Sequence, residues 1–323
     1  MDGRYPMSQS VLHLQLDAYI SIREALGFQM RAERTLLRDF VNFVESHGVG
    51  IPIRAYLAVQ WACAFSARRG PGGAAQRLSM ARGFLTYLRA TIPETEVPDT
   101  ALVASFRRPK PYLFTPDQIR TLIQDARKTR PQGALRPHTL STLIGLLAST
   151  GLRVGEALRL MVTDVWLESE PPCLHIRKTK FYKSRLVPLH PSTADQLRHY
   201  AHLRAALRYD SLSDVFFISE QGGPLHRVAL WRWFTTRCRT LGMGPTDSGR
   251  RPSLSALRHS FAVERMRLWY HKGVDVQAQL PHLSVYMGHV RPQESYWYLS
   301  ATPELLTAAA ERFHLYAAEG GIA

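Results

Sequence analysis

Along the first hundred residues, apolar positions recur every three to four residues in four blocks, most of them closed by glycine. Residues 9–26 carry Val11, Leu12, Leu14, Leu16, Tyr19, Ile20 and Ile22 ahead of Gly27. Residues 30–46 carry Leu36, Leu37, Phe40, Val41, Phe43 and Val44 ahead of Gly48. Residues 53–68 carry Tyr56, Leu57, Val59, Trp61 and Phe65, ended by Gly70-Pro71-Gly72-Gly73, and residues 74–91 carry Leu78, Met80, Phe84, Leu85, Tyr87 and Leu88. This spacing with glycine stops predicts four helices, and short connections predict a bundle. Residues 92–114 lose the periodicity and hold Pro93, Pro98, Pro109 and Pro111, which marks a linker. Beyond it the pattern is mixed. It predicts helices at 116–128, 138–149, 154–161, 192–207, 226–240, 255–269 and 303–313, and strands at 173–177, 185–189 and 214–218. The first two strands flank a basic hairpin tip, Lys178-Thr179-Lys180-Phe181-Tyr182-Lys183-Ser184. No repeat of 20–50 residues and no low-complexity tract interrupts the chain.

Composition adds a partner class. The 323 residues include 41 Lys and Arg against 26 Asp and Glu, a formal charge of +15. Residues 1–108 carry 13 basic and 9 acidic side chains, and residues 109–323 carry 28 and 17, so the excess sits in the second part. Clusters are Arg177, Lys178, Lys180, Lys183 and Arg185, then Arg227, Arg232, Arg237, Arg239, Arg250 and Arg251. A solvated basic face accounts for such charge, but a polyanion, above all nucleic acid, accounts for it better. An anionic membrane surface fits less well, because no basic amphipathic helix stands alone at either terminus. No apolar run of about 18 residues spans a membrane, and MDGRYPMSQS lacks the apolar core of a secretory signal. The three cysteines, Cys63, Cys173 and Cys238, are far apart, which argues against a disulfide framework and a cysteine zinc site. The expectation is a reduced, cytoplasmic protein.

Four local features carry candidate chemistry. In Ser149-Thr150-Gly151-Leu152-Arg153-Val154-Gly155-Glu156, glycine turns present Arg153 near the start of a short helix; alone, it reads as a surface or salt-bridged arginine. Lys180 stands at the hairpin tip ahead of Arg185-Leu186-Val187-Pro188, where a lysine is usually solvated. In Leu254-Ser255-Ala256-Leu257-Arg258-His259-Ser260-Phe261, Arg258 lies one turn into a helix among apolar neighbours and needs a partner. That partner is either an internal carboxylate or a substrate phosphate. Tyr286-Met287-Gly288-His289 precedes Tyr296-Trp297-Tyr298-Leu299, a cluster that by itself reads as core.

Order and spacing strengthen these signals. Thr150-Gly151-Leu152-Arg153, a hairpin Lys180 eight residues before Pro188, Leu257-Arg258-His259, Gly288-His289, and Tyr298 nine residues after His289 together resemble the tyrosine recombinase (phage integrase) family over roughly residues 110–315. The resemblance implies a mostly α fold with a small β component. An N-terminal SAM-like helical bundle (1–105) would clamp DNA, and an integrase-type α+β catalytic domain (106–323) would follow. It implies Tyr298 as nucleophile, with Tyr296 as its alternative. Arg153, Arg258 and His289 would stabilise the phosphoryl transition state, and Lys180 would act as general acid. No metal and no cofactor are implied. The implied partners are double-stranded DNA and a homo- or hetero-tetramer of related recombinases, without a membrane. The stretch from Tyr296 to Leu306 is similar to recombinases of mobile elements that carry three such genes side by side.

One position departs from the family pattern, which begins its H-x-L-R-H box with histidine where this chain has Ser255. In the family that histidine contacts the scissile phosphate or assists proton transfer; a serine there reads as a helix N-cap and can donate one hydrogen bond but cannot carry a positive charge. His259, four residues on, is placed to share that helix face, but the family pattern has a histidine there as well, so the resemblance does not transfer the role to it. A DNA-binding accessory subunit that cleaves poorly is therefore the alternative function. Acidic residues such as Asp164, Asp195, Asp210 and Asp214 form no metal-nuclease motif, and no phosphate-cradling Gly-Lys loop occurs. The apolar spacing from Leu305 to Tyr316 predicts a terminal helix that docks on a neighbouring protomer or folds back on its own domain.

Overall fold

The first helix forms where a capping serine meets a narrow apolar stripe. α1 (Val11–Ala25) starts at Ser10, whose Oγ accepts from the backbone N–H of His13 at 3.3 Å. Its buried face is Leu12, Leu16 and Ile20, while Val11, Leu14 and Ile22 are exposed. α2 (Arg31–Ser46) buries Leu37, Phe40, Val41 and Val44; α3 (Ala55–Ala64) buries Leu57, Ala58, Trp61 and Ala62. α4 (Pro71–Thr91) closes the bundle core with Leu78, Ala81, Phe84, Leu85 and Leu88. A polar clamp joins three of these helices. The Trp61 indole donates to Asp39 Oδ2 at 2.9 Å, and buried Arg77 donates to the same oxygen at 3.3 Å with its guanidinium 4.6 Å from the Trp61 ring. Glu96 then caps α3, accepting from the Ala55 N–H at 2.9 Å and from Arg54 at 2.8 Å; that backbone bond and Arg54 hold its carboxyl below the ordinary range.

The computed structural model describes residues 10–64, 71–102, 110–131, 133–177, 184–207, 213–289 and 293–301, with 307, 310, 311 and 314. The chain divides into two units, Met1–Arg108 and Pro109–Ala323, each with its own core. The tether expected around Arg107 lies outside the described residues.

The second unit is built round α6 (Leu135–Thr150). Ten of its 16 residues are buried, on every side, as expected of a helix enclosed by neighbours. α5 (Pro116–Arg127) packs on it behind a capping box of Thr115 and Gln118. A short α7 (Val154–Ala157) follows, then a three-stranded antiparallel sheet in the order β1 (Val165–Trp166), β2 (Cys173–Ile176), β3 (Arg185–Pro188). The β2–β3 register sets Cys173 opposite Pro188 and Ile176 opposite Arg185. α8 (Pro191–Ala206), α9 (Arg227–Thr240), α10 (Leu254–His271), α11 (Val276–Met287) and α12 (Gln293–Ala301) follow. None of the described helices is long and apolar enough to cross a membrane.

Several expectations change. The 154–161 helix stops at Ala157. The 214–218 strand is not one: Val215 and Ile218 make only isolated bridges, to Met161 and Pro224. The pattern does not predict α11, a helix that carries Pro281 in its interior while Val276, Leu280, Leu283 and Met287 are buried at helical spacing. Nor does it predict α12. Most of the 303–313 helix, and with it the docking tail, lies outside the described residues.

Candidate active site

The site is assembled at the C-terminal ends of two helices. α6 ends at Gly151 with φ 63°, and α11 ends at Gly288 with φ 69°. Both glycines are required by more than the left-handed turn. A Cβ on Gly151 would sit 2.5 Å from the Phe261 ring, and one on Gly288 would sit 2.5 Å from the Arg185 guanidinium. Thr150 stabilises the first turn: its hydroxyl donates to the Leu146 carbonyl at 2.6 Å and accepts from the Leu152 N–H at 3.4 Å. The second turn is a Schellman motif, with the His289 N–H on Ser284 O at 2.9 Å and the Gly288 N–H on Val285 O at 3.0 Å. His289 therefore has a fixed backbone position.

Both expected arginines converge on these two ends. Arg258, from the first turns of α10, donates through one terminal nitrogen to Gly151 O at 2.6 Å and through the other to Met287 O at 2.9 Å. Arg153 donates to Gly288 O at 2.8 Å. Helix C-termini concentrate partial negative charge, so they hold cations in place without neutralising them. Among the described residues no carboxylate is bonded to Arg258, so the internal-carboxylate reading of that residue is not what the fold supplies. Burial lowers its guanidinium to about 10, assisted by Arg153 and opposed by Tyr298 and Glu156. It remains a cation at neutral pH. Each of its terminal nitrogens carries a second hydrogen with which to meet an anionic oxygen.

Glu156 is the keystone that the sequence pattern leaves unassigned. It is 6% exposed, and its Oε1 accepts from Arg153 at 3.0 Å and from Arg185 at 3.2 Å. Oε2 accepts from Arg185 at 2.8 Å and from the Arg153 backbone N–H at 3.1 Å. Burial pushes this carboxyl up, but Arg185 and Arg153 together outweigh it and hold the group below its ordinary value. Arg185 also donates from Nε to Tyr286 O at 2.8 Å. β3, α7 and the end of α11 are thus tied to one carboxylate. At the base of the hairpin, Arg177 pairs with buried Asp164. Lys180 itself lies outside the described residues.

Tyr298 of α12 is buried, with 1% of its surface exposed, against Ala262, Met266, Leu283 and Met287. Its phenol oxygen lies 2.9 Å from His259 Nδ1. The ring of His289 stacks 6.4 Å from that of Tyr298, and His289 Nδ1 lies 2.7 Å from Ser295 Oγ, which is in turn 2.6 Å from Ser284 Oγ. Tyr296, the alternative nucleophile, is 42% exposed. Ser255 is exposed within the first turn of α10, and the N-cap position belongs to Ser253, whose side chain makes no capping bond. The N-cap reading of Ser255 is therefore wrong by two residues. Arg153, Arg258, His289 and Tyr298 meet, and the bonds that hold them do not include Ser255. Sequence reasoning passes over Glu156 and Ser295, names Arg185 only as part of a basic cluster, and names His259 only as part of the family's box. Only Glu156, three residues after Arg153 in one short helix, leaves a readable signal.

Of the basic residues on α9, Arg237 pairs with Asp125 at 3.4 Å, whereas Arg227, Arg232 and Arg239 are exposed beside exposed Trp231.

The chain has relatives among known proteins. Residues 113–304 match the model of the phage integrase family. A putative integrase/recombinase, y4rB, of Sinorhizobium fredii is 38% identical over 312 residues, covering 94% of this chain and 97% of that protein. The XerH site-specific recombinase, solved with its palindromic difH substrate in a post-cleavage complex, superposes with a TM-score of 0.65 at 18% identity, covering 92% and 83% of the two chains. A lambda integrase tetramer bound to a Holliday junction gives 0.55 at 19% identity, covering 86% and 81%.

Proposed function

Because this chain belongs to the phage integrase family, we propose that it is a site-specific DNA recombinase whose nucleophile is Tyr298. The observation that carries the assignment of roles is the convergence of Arg153, Arg258, His289 and Tyr298 on the ends of α6 and α11. Displacement at a phosphodiester builds negative charge on the non-bridging oxygens, and fixed guanidinium groups stabilise it. Arg258 and Arg153 supply that charge, preorganised by backbone carbonyls and Glu156. His289, oriented by Ser295, supplies a further donor. Tyr298 forms the 3′-phosphotyrosine, and Lys180 protonates the departing 5′-oxygen. The phosphotyrosine conserves the bond energy, so a 5′-hydroxyl from another strand reverses the step.

Tyr298 is buried, so cleavage requires its phenol to become accessible to a phosphate. The substrate is duplex DNA and the working form is a tetramer, homo- or heteromeric, as in the lambda integrase assembly. The bundle of residues 1–105 contributes a clamp on DNA, and residues 106–323 contribute the chemistry.

The test is covalent capture. Nicked duplexes with a randomised core are incubated with the protein, and detergent-resistant adducts are collected and sequenced. Wild type forms an adduct whose DNA-linked peptide contains Tyr298, and Tyr298→Phe forms none. If wild type and Tyr298→Phe behave alike, with binding but no adduct, the accessory-subunit alternative replaces this reading. A linked peptide carrying Tyr296 instead would move the nucleophile.

A further inference from the structure

Neither arginine can accept the phenol proton of Tyr298, and Lys180 is assigned to the leaving group. The usual histidine position is Ser255, which is exposed on the first turn of α10. His259 touches the phenol, with Nδ1 2.9 Å from its oxygen. The two rings are 5.6 Å apart, and Trp297 packs 5.8 Å from the imidazole. His259 directly follows Arg258 in α10, so the turn that anchors the phosphate-facing guanidinium also anchors the imidazole.

We propose that His259 is the catalytic residue that takes the proton of Tyr298 during attack and returns it on rejoining. This rests on Tyr298 being the nucleophile. In the forward step the Tyr298 O–H bond breaks and its proton passes to the lone pair of Nδ1, with Nε2 carrying the ring hydrogen. The phenol oxygen bonds to phosphorus as the bond from phosphorus to the 5′-oxygen breaks, and that oxygen takes its electron pair and a proton from Lys180. The reverse step moves each proton back. An ordinary imidazole near 6.5 is a weaker base than a phenolate near 10. The transfer is therefore concerted with bond formation to phosphorus, which acidifies the phenol. With 1% of its surface exposed, the Tyr298 side chain has almost no contact with bulk water. Among the described residues, the charged and titratable groups about the pair are Arg258 on the same helix and His289 across the Tyr298 ring, with Arg153, Glu156 and Arg185 acting on Arg258.

The same contact could instead hold the tyrosine at rest, and the two roles have opposite consequences. The experiment is single-turnover cleavage of a nicked duplex selected by wild type from the randomised pool. It compares wild type with His259→Gln, each with tyrosine or a fluorinated, more acidic tyrosine at position 298. Unchanged duplex affinity and unfolding temperature certify the fold, and His259→Asn replaces the glutamine variant where they change. His259→Gln should cleave roughly 10²–10⁴-fold more slowly, the usual contribution of a general base. Its rate should climb with pH where the wild-type rate has levelled off. Fluorotyrosine should recover at least tenfold of the loss in the variant and little in wild type. A bridging 5′-phosphorothiolate, which needs no acid, should recover nothing. An equal or faster His259→Gln, or rescue by the phosphorothiolate and not by fluorotyrosine, overturns the proposal. An adduct mapped away from Tyr298 ends this reading together with the proposed function, whereas an adduct on Tyr298 with a fast His259→Gln ends this one alone.

Discussion

Replacing Glu156 with glutamine should loosen the catalytic unit and the grip on Arg153 together, and the geometry sets the size of the effect. The carboxylate accepts four hydrogen bonds, three of them from guanidinium nitrogens. Glutamine keeps one acceptor oxygen and turns the other position into an NH₂ facing donors. The Arg153 side chain is 36% exposed, so its share is that of a surface pair, at most about 1 kcal/mol. Arg185 is only 10% exposed, and removing the partner of a buried charge costs about 3–5 kcal/mol. Some of that is relieved by its bond to the Tyr286 carbonyl, so about 3–4 kcal/mol is expected in total. For a unit of roughly 150–250 residues this lowers the melting temperature by roughly 6–16 °C. The pH dependence carries the sharper test. The folded-state pKa of Glu156 is depressed, so its stabilisation is complete above the ordinary value of 4.5 and fades as pH falls through the lower folded value. The gap in melting temperature between wild type and Glu156→Gln should be constant near neutral pH and close below pH 4.5. Thermal unfolding followed by circular dichroism over that range measures it. A gap that stays constant down to strongly acidic pH, or is absent at pH 7, refutes the account of Glu156 as a charged clamp.

Gly288→Ala places a methyl carbon 2.5 Å from the Arg185 guanidinium on a left-handed residue, so it should cost at least about 1–2 kcal/mol and disturb His289, read by unfolding and by adduct yield. Arg258→Lys keeps the charge but cannot bridge Gly151 O and Met287 O; single-turnover cleavage should fall roughly 10²–10³-fold with duplex affinity almost unchanged, and a parallel loss of affinity would refute the assignment. Arg232→Ala with Arg239→Ala, both exposed on α9, should lower the slope of log affinity against log salt by about 0.9 for each phosphate that the variant leaves unneutralised, measured by fluorescence anisotropy between low and high salt.

What the residue pattern reveals about this site follows residue type closely. Gly151 and Gly288 are legible because a left-handed helix end leaves glycine as the residue of choice, and the spacing to Arg153 and His289 travels with it. Arg258 is legible as a cation in need of a partner, but its partners are not. They are main-chain carbonyls of Gly151 and Met287, and a carbonyl belongs to every residue, so no side chain announces it. Pro281 hides α11 for a related reason: the rule that proline breaks a helix is local, whereas the burial of Val276, Leu280, Leu283 and Met287 that outweighs it is tertiary. The four helices of the first unit are legible because their stripes are one-sided, although Val11, Leu14 and Ile22 show that not every apolar residue in a stripe faces in.

Ser255 and His259 change meaning most between the chain and the fold. In sequence, Ser255 is a missing histidine, and His259 is a residue the family pattern already accounts for. In space, Ser255 is exposed to solvent, and His259 Nδ1 lies 2.9 Å from the phenol oxygen of Tyr298. Four residues separate them, slightly more than one helical turn, so both sit over the same end of α10 while His259 is the one bonded to α12. Loss of a cation at 255 removes charge that Arg153 and Arg258 still supply, whereas loss of the imidazole at 259 removes the nitrogen acceptor bonded to the phenol. On the proposed roles, the departure at Ser255 is a change in transition-state charge, and proton transfer at Tyr298 has its own residue.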